Sequence, residues 1–136
     1  MTDFRGTYLP MITPFTKEGS LDVPGLEANI DWWIDEGVHG LIPAGSAGEF
    51  LQLTYPEYQE LVERSVERTN GRVPVIVGTS SDGTDDAIRR TRLAEEAEAD
   101  GVMVVAPFYS QLTRDELIRH YVAIADSTNL PVMIYN

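Results

Sequence analysis

The chain of 136 residues contains no cysteine. Disulfides, thiolate nucleophiles and thiolate metal ligands are therefore excluded. Histidine occurs only at His39 and His120, too far apart in sequence to suggest a dedicated transition-metal site. Lysine occurs once, at Lys17, and 10 basic residues face 22 acidic ones for a net charge of −12. Nucleic-acid binding needs clustered cations, so the charge balance argues against a nucleic-acid partner. No apolar run is long enough to span a bilayer, and Met1-Thr2-Asp3-Phe4-Arg5 has no apolar signal segment. A cytoplasmic enzyme or binding protein without a membrane partner is expected. The acidity reads as that of an ordinary soluble acidic protein, with a salt-adapted or highly solvated surface as the alternative.

What is present is a regular alternation of short apolar runs and helical patterns. Hydrophobic residues make up 43% of the chain, enough for the core of one compact domain. Candidate strands are Gly6–Ile12, His39–Pro43, Val73–Val77, Val102–Ala106 and Pro131–Tyr135. They lack clean alternation, as strands covered on both faces do. Four helical stripes lie between them, marked by Leu26, Ile30, Trp33 and Ile34; Tyr58, Leu61, Val62, Ser65 and Val66; Ala87, Ile88, Thr91 and Ala94; and Leu117, Ile118, Tyr121, Ile124 and Ala125.

Thr54-x-x-Glu57 and Thr113-x-x-Glu116 read as capping boxes, with Asp22 and Thr84 as further N-caps. Asp85 and Asp86 suit the first turn of the third helix, and Gly37, Gly71 and Gly101 fall where helices give way to strands. Strands recur about every thirty residues, the period of consecutive βα units. Parallel strands follow. An open doubly wound sheet and a (βα)8 barrel both satisfy this pattern.

In either architecture ligands sit at the C-terminal ends of the strands. There the chain offers Thr13-Pro14, Gly45-Ser46-Ala47-Gly48-Glu49, Gly78-Thr79-Ser80, Pro107-Phe108-Tyr109 and Tyr135-Asn136. The set is rich in hydroxyls and glycines and poor in carboxylates. It suits a small carboxylate or carbonyl substrate bound by neutral donors better than a metal or a nucleotide. No Gly-x-Gly-x-x-Gly follows the first strand and there is no P-loop. The loop at Ala44–Phe50 brings glycine backbone close to an anion, and the helix after it is expected to add its N-terminal dipole.

Gly45-Ser46-Ala47-Gly48-Glu49-Phe50, Val73–Thr79, Ala106-Pro107-Phe108-Tyr109 and Leu130–Asn136 occur in order. Together they resemble the dihydrodipicolinate synthase and N-acetylneuraminate lyase family of class I, pyruvate-handling (βα)8 lyases. The likeness runs from Gly6 to Asn136. It implies an α/β fold of the TIM-barrel family, with residues 1–136 as the N-terminal portion of a single barrel domain covering about five strands and four helices. It further implies that Tyr135 transfers protons, that Ser46 relays them, and that Tyr109 extends the relay across a subunit interface. Gly45, Ser46, Ala47 and Gly48 would hold the pyruvate carboxylate, with Thr13 and Thr79 lining the same mouth. Glu49 is expected to hold the loop by hydrogen bonds, His39 to be structural, and His120 to have a surface or packing role.

Two departures from the family pattern bear on function. Ala47 stands where the family commonly has a second hydroxyl residue, which leaves room for a sugar-acid aldolase or dehydratase. The family's Schiff-base lysine ends the sixth strand, beyond Asn136, and Lys17 lies in a polar turn that offers no desolvation to lower an amine pKa. The resemblance thus implies a Schiff-base lyase acting on pyruvate or a 2-oxo acid, most like 4-hydroxy-tetrahydrodipicolinate synthase. Its second substrate would be an aldehyde, its assembly a homo-oligomer (tetramer or dimer), and it would use no metal or organic cofactor. The alternative from another class is a non-catalytic half-barrel that binds a partner or self-assembles to cover the open edges at its first and fifth strands. A lysine about one βα unit beyond Asn136 separates the two.

Overall fold

Proline bounds the apolar runs and shortens the strands, because it brings no N–H to a ladder. The computed structural model describes residues 4–136. Its elements in chain order are β1 (Tyr8–Pro10), α1 (Val23–Asp35), β2 (Gly40–Ile42), α2 (Tyr55–Thr69), β3 (Ile76–Gly78), α3 (Thr84–Glu96), β4 (Gly101–Val105), α4 (Arg114–Ala125) and β5 (Val132–Tyr135), with a 3-10 turn at Ser46–Gly48. The order is the expected one, but several strands are narrower. The run from Gly6 contracts to Tyr8–Pro10, since Gly6 turns out of the extended region at φ +112. The third strand starts at Ile76 rather than Val73, past Pro74.

All pairings are parallel: Leu9 faces Leu41, Val77 faces Val102, and Val104 faces Ile134. A parallel bridge between Leu41 and Val75 joins β2 to β3, and the Gly78 N–H donates to the Pro43 carbonyl at 2.9 Å. The sheet therefore runs β1-β2-β3-β4-β5 without a reversal of order. A doubly wound sheet must reverse at its switch point, whereas a barrel wall does not. The described residues form a half barrel.

The four helices cover one face of this sheet, each packed on the next. Apolar residues of α1 and α2 (Leu26, Ile30, Tyr58, Leu61, Val62) meet Leu41, Val75, Val77 and Val102 in one buried cluster. A smaller cluster joins Ala87, Val104 and Ile124. The edges at β1 and β5 are unpaired among the described residues, and Ile134 stands exposed on the latter.

Helix ends follow the side chains closely. Glu57 Oε2 accepts the Thr54 N–H at 2.9 Å and Glu116 Oε2 accepts the Thr113 N–H at 2.8 Å, completing both capping boxes. Asp22 caps α1 through Gly25 N–H at 3.1 Å. Thr84, in contrast, is not the N-cap of α3. Gly83 is, and Thr84 is the first helical residue, its hydroxyl 2.9 Å from His120 Nδ1. Gly37 follows α1 in left-handed backbone, while α2 ends on left-handed Asn70, with Gly71 left-handed after it. Gly101 does not end a helix but opens β4; the left-handed turn after α3 falls on Glu98.

His39 Nδ1 accepts the Thr7 N–H at 3.0 Å, at the start of β2 and away from the strand C-termini. His120 is buried and packs edge-on against Tyr121, and burial lowers its pKa. Packing, not the surface, is its place.

Candidate active site at the strand ends

Parallel strands bring the segments after β1, β2, β3 and β4, and the end of β5, to one rim of the half barrel. The most constrained is the β2–α2 connection. Ala44 and Glu49 both take left-handed backbone, at φ 55 and 54, and bracket Gly45–Gly48. Neither is glycine, so each carries strain of about 1 kcal/mol. Such strain persists only where the surroundings impose it.

Those surroundings are visible. Gly48 N–H donates to Gly45 O at 3.0 Å, Glu49 N–H to Ser46 O at 3.2 Å, and Gln52 N–H to Glu49 O at 2.8 Å. From the β1 side, the buried Thr13 hydroxyl donates to the Gly48 carbonyl at 2.7 Å. From β3, Gly78 gives the chain room: a Cβ there would lie 2.2 Å from the Ala44 carbonyl oxygen. The Tyr58 hydroxyl in turn donates to the Gly78 carbonyl at 3.0 Å, and its burial pushes that phenol above its ordinary pKa.

The N–H groups of Ser46 and Ala47 donate to no acceptor among the described residues. Ser46 and Ala47 are exposed while Gly45 and Gly48 are buried. Two adjacent N–H groups without partners and a hydroxyl thus lie together on this short loop. The helix expected to add its dipole does not adjoin the loop. α2 begins at Tyr55, and its first turn is occupied by its own capping box. Glu49 secures the loop through its backbone, with an exposed carboxylate.

At the other strand ends the outcome is mixed. Thr79, expected at the mouth, is wholly buried; its hydroxyl accepts from Thr91 of α3 at 3.1 Å. Its place is the sheet–helix interface, because the alternation of β3 turns that side chain toward α3. Tyr109 stands 88% exposed beyond β4, and Tyr135 is 47% exposed at the end of β5, opposite Val105. The hydroxyls of Ser46, Tyr109 and Tyr135 make no hydrogen bond to one another. The loops bearing Ser46 and Tyr109 nevertheless touch: the rings of Phe50 and Phe108 meet edge to face with centroids 6.4 Å apart.

Several contributors had little sequence signal. Left-handed Ala44 and Glu49 are not glycines, and Tyr58 is indistinguishable from its neighbours on the apolar stripe of α2. Asp82, whose carboxylate accepts the N–H groups of Phe108 at 2.8 Å and Tyr109 at 3.3 Å, meets a partner 26 residues away. Among the described residues no group of three or more His, Asp or Glu side chains gathers to hold a metal, and no helix is long and apolar enough to cross a membrane.

Residues 3–136 match the model of the dihydrodipicolinate synthetase family. The chain belongs to that family. Members similar to it include the 4-hydroxy-tetrahydrodipicolinate synthase of Methanoculleus marisnigri, 42% identical over 135 residues, spanning 98% of this chain and 46% of that protein. The synthase of Rhizobium meliloti is 44% identical over 133 residues, spanning 98% of this chain and 45% of its own. Among solved family structures, the half barrel superposes on YagE, a prophage protein of Escherichia coli K12 in complex with pyruvate, with a TM-score of 0.96. Their identity is 41%, covering 98% of this chain and 45% of YagE. The chain spans about half the length of the curated relatives it matches.

Proposed function

We propose that residues 1–136 are the N-terminal portion of a single (βα)8-barrel domain, and that the full-length protein is a Schiff-base lyase of the 4-hydroxy-tetrahydrodipicolinate synthase type. Its first substrate is pyruvate or a related 2-oxo acid. The observation that carries this reading is the cradle at Gly45–Gly48, with the free N–H groups of Ser46 and Ala47 beside the Ser46 hydroxyl. Pyruvate bound to YagE, 41% identical, supports the same ligand here. The cradle takes the substrate carboxylate and leaves the 2-oxo carbon to a nucleophilic amine.

That amine adds to the carbonyl and the carbinolamine loses water to give an imine. Tyr135 supplies and removes the protons, with Ser46 and Tyr109 as its relay. The imine acidifies the adjacent methyl group, and the resulting enamine adds to an aldehyde. Lys17 is exposed in the turn between Phe15 and Leu21, so we assign the amine to a lysine outside these residues. Separated hydroxyls are compatible with a relay, since catalytic hydrogen bonds tighten in the substrate complex. The exposure of Tyr109 supports its placement at a subunit contact of a cytoplasmic homo-oligomer. No cofactor enters this scheme.

Ala47 favours a second reading within the same family, a 2-keto-3-deoxy sugar-acid aldolase or dehydratase. Its methyl group replaces a hydroxyl donor to the carboxylate, a contact worth about 1.5–3 kcal/mol. Both readings share Tyr135. In the full-length protein, Tyr135→Phe is expected to lower turnover roughly 10²–10⁴-fold, the usual range for a lost acid–base group. Unchanged turnover would contradict the proposal.

A further inference from the structure

We infer that Asp82 is a positioning residue for Tyr109, fixing the phenol at the barrel mouth through the backbone of the loop that carries it. The inference rests on the relay role given to Tyr109 above. The β4–α4 loop has few internal ties. Pro107 has no N–H, the Tyr109 side chain is almost wholly exposed, and the next anchor is the Thr113–Glu116 capping box. Between them, the N–H groups of Phe108 and Tyr109 converge on one oxygen of Asp82, at 2.8 and 3.3 Å.

Two consecutive N–H groups aimed at one acceptor fix the dihedral angles of the segment that bears them. A carboxylate acceptor makes those bonds charge-assisted and stronger than neutral ones. The same anchor sets Phe108, whose ring meets Phe50 on the loop carrying Ser46. One carboxylate on the β3–α3 loop thereby aligns the β4–α4 loop with the β2–α2 loop. Asp82 itself is exposed and belongs to no helix or strand, so its replacement leaves the core intact.

The test uses the full-length protein and follows deuterium exchange into the methyl group of pyruvate by NMR, with kcat and KM for that exchange. Asp82→Ala is expected to lower kcat roughly tenfold or more, as misplacement of a reacting group does, with KM changed less than about twofold. Asp82→Asn keeps an acceptor oxygen and restores most of the rate. In a Tyr109→Phe background, Asp82→Ala causes no further loss. Amide hydrogen exchange at Phe108 and Tyr109 accelerates in Asp82→Ala and not in Asp82→Asn. Equal losses from Asp82→Ala with and without the Tyr109 hydroxyl would overturn the assignment, as would an unchanged rate in Asp82→Ala alone. An unchanged rate in Tyr109→Phe would instead overturn the relay, and the positioning role with it. An absence of any exchange in the wild type would reject the Schiff-base reading itself.

Discussion

The Thr13 hydroxyl donates a buried 2.7 Å hydrogen bond to the carbonyl of Gly48, joining the loop after β1 to the cradle after β2 across 35 residues of sequence. A hydroxyl has one proton to give. With that proton engaged, Thr13 holds the Gly45–Gly48 loop in place. Thr13→Val keeps the shape and leaves the Gly48 carbonyl buried without its partner. The expected loss of stability is about 1–3 kcal/mol in denaturant unfolding, together with weaker pyruvate binding.

Gly78 is required by the close passage of the chain at Ala44. An alanine Cβ would lie 2.2 Å from the Ala44 carbonyl oxygen and 3.1 Å from the Gly45 nitrogen, both backbone atoms. Gly78→Ala must displace either β3 or the cradle. Destabilisation of about 1–3 kcal/mol, the usual cost of overpacking, is the expected result of chemical denaturation. An alanine substitution at Gly83, where a Cβ meets open space, serves as the control.

Asp31 links α1 to Arg68 of α2 and to Arg72 in the turn after it. Arg68 reaches both of its oxygens, and Arg72 Nη2 lies 2.7 Å from Oδ1. Hydrogen bonds from Arg68 and then Arg72 lower its pKa from 3.8 to about 2. A depressed folded-state pKa means that the unfolded chain binds the proton first. The contribution is therefore complete above pH 3.8 and is lost as the pH falls toward 2. Asp31→Asn is expected to flatten the stability profile between these limits, with a modest effect at neutral pH because the group is partly exposed. Urea midpoints measured across that range check it.

The order of elements and the two capping boxes were legible because they depend on neighbours in sequence. Thr54 and Glu57 are three residues apart, as are Thr113 and Glu116, and the structure pairs both. Strand limits were less legible, since Pro74 and Gly6 end extended runs by backbone chemistry that apolar content hides. The N-cap of α3 falls on Gly83 and not on Thr84, because the cap is defined by dihedral angles as well as by side chain. The tight loop after β2 was legible in Gly45 and Gly48. The contacts around it were not: Thr13, named from the sequence only as a residue of the mouth, donates to Gly48 35 residues away, and Tyr58 donates to Gly78 20 residues away.

If this half barrel supplies the carboxylate cradle and proton relay of a Schiff-base lyase, the full-length protein holds pyruvate as an imine that borohydride traps. The most direct measurement is intact mass of the full-length protein after incubation with pyruvate and borohydride, followed by peptide mapping. One reduced pyruvate adduct per chain is expected, on a lysine outside residues 1–136 and not on Lys17. A protein that carries no adduct, or carries it only on Lys17, would contradict the Schiff-base reading.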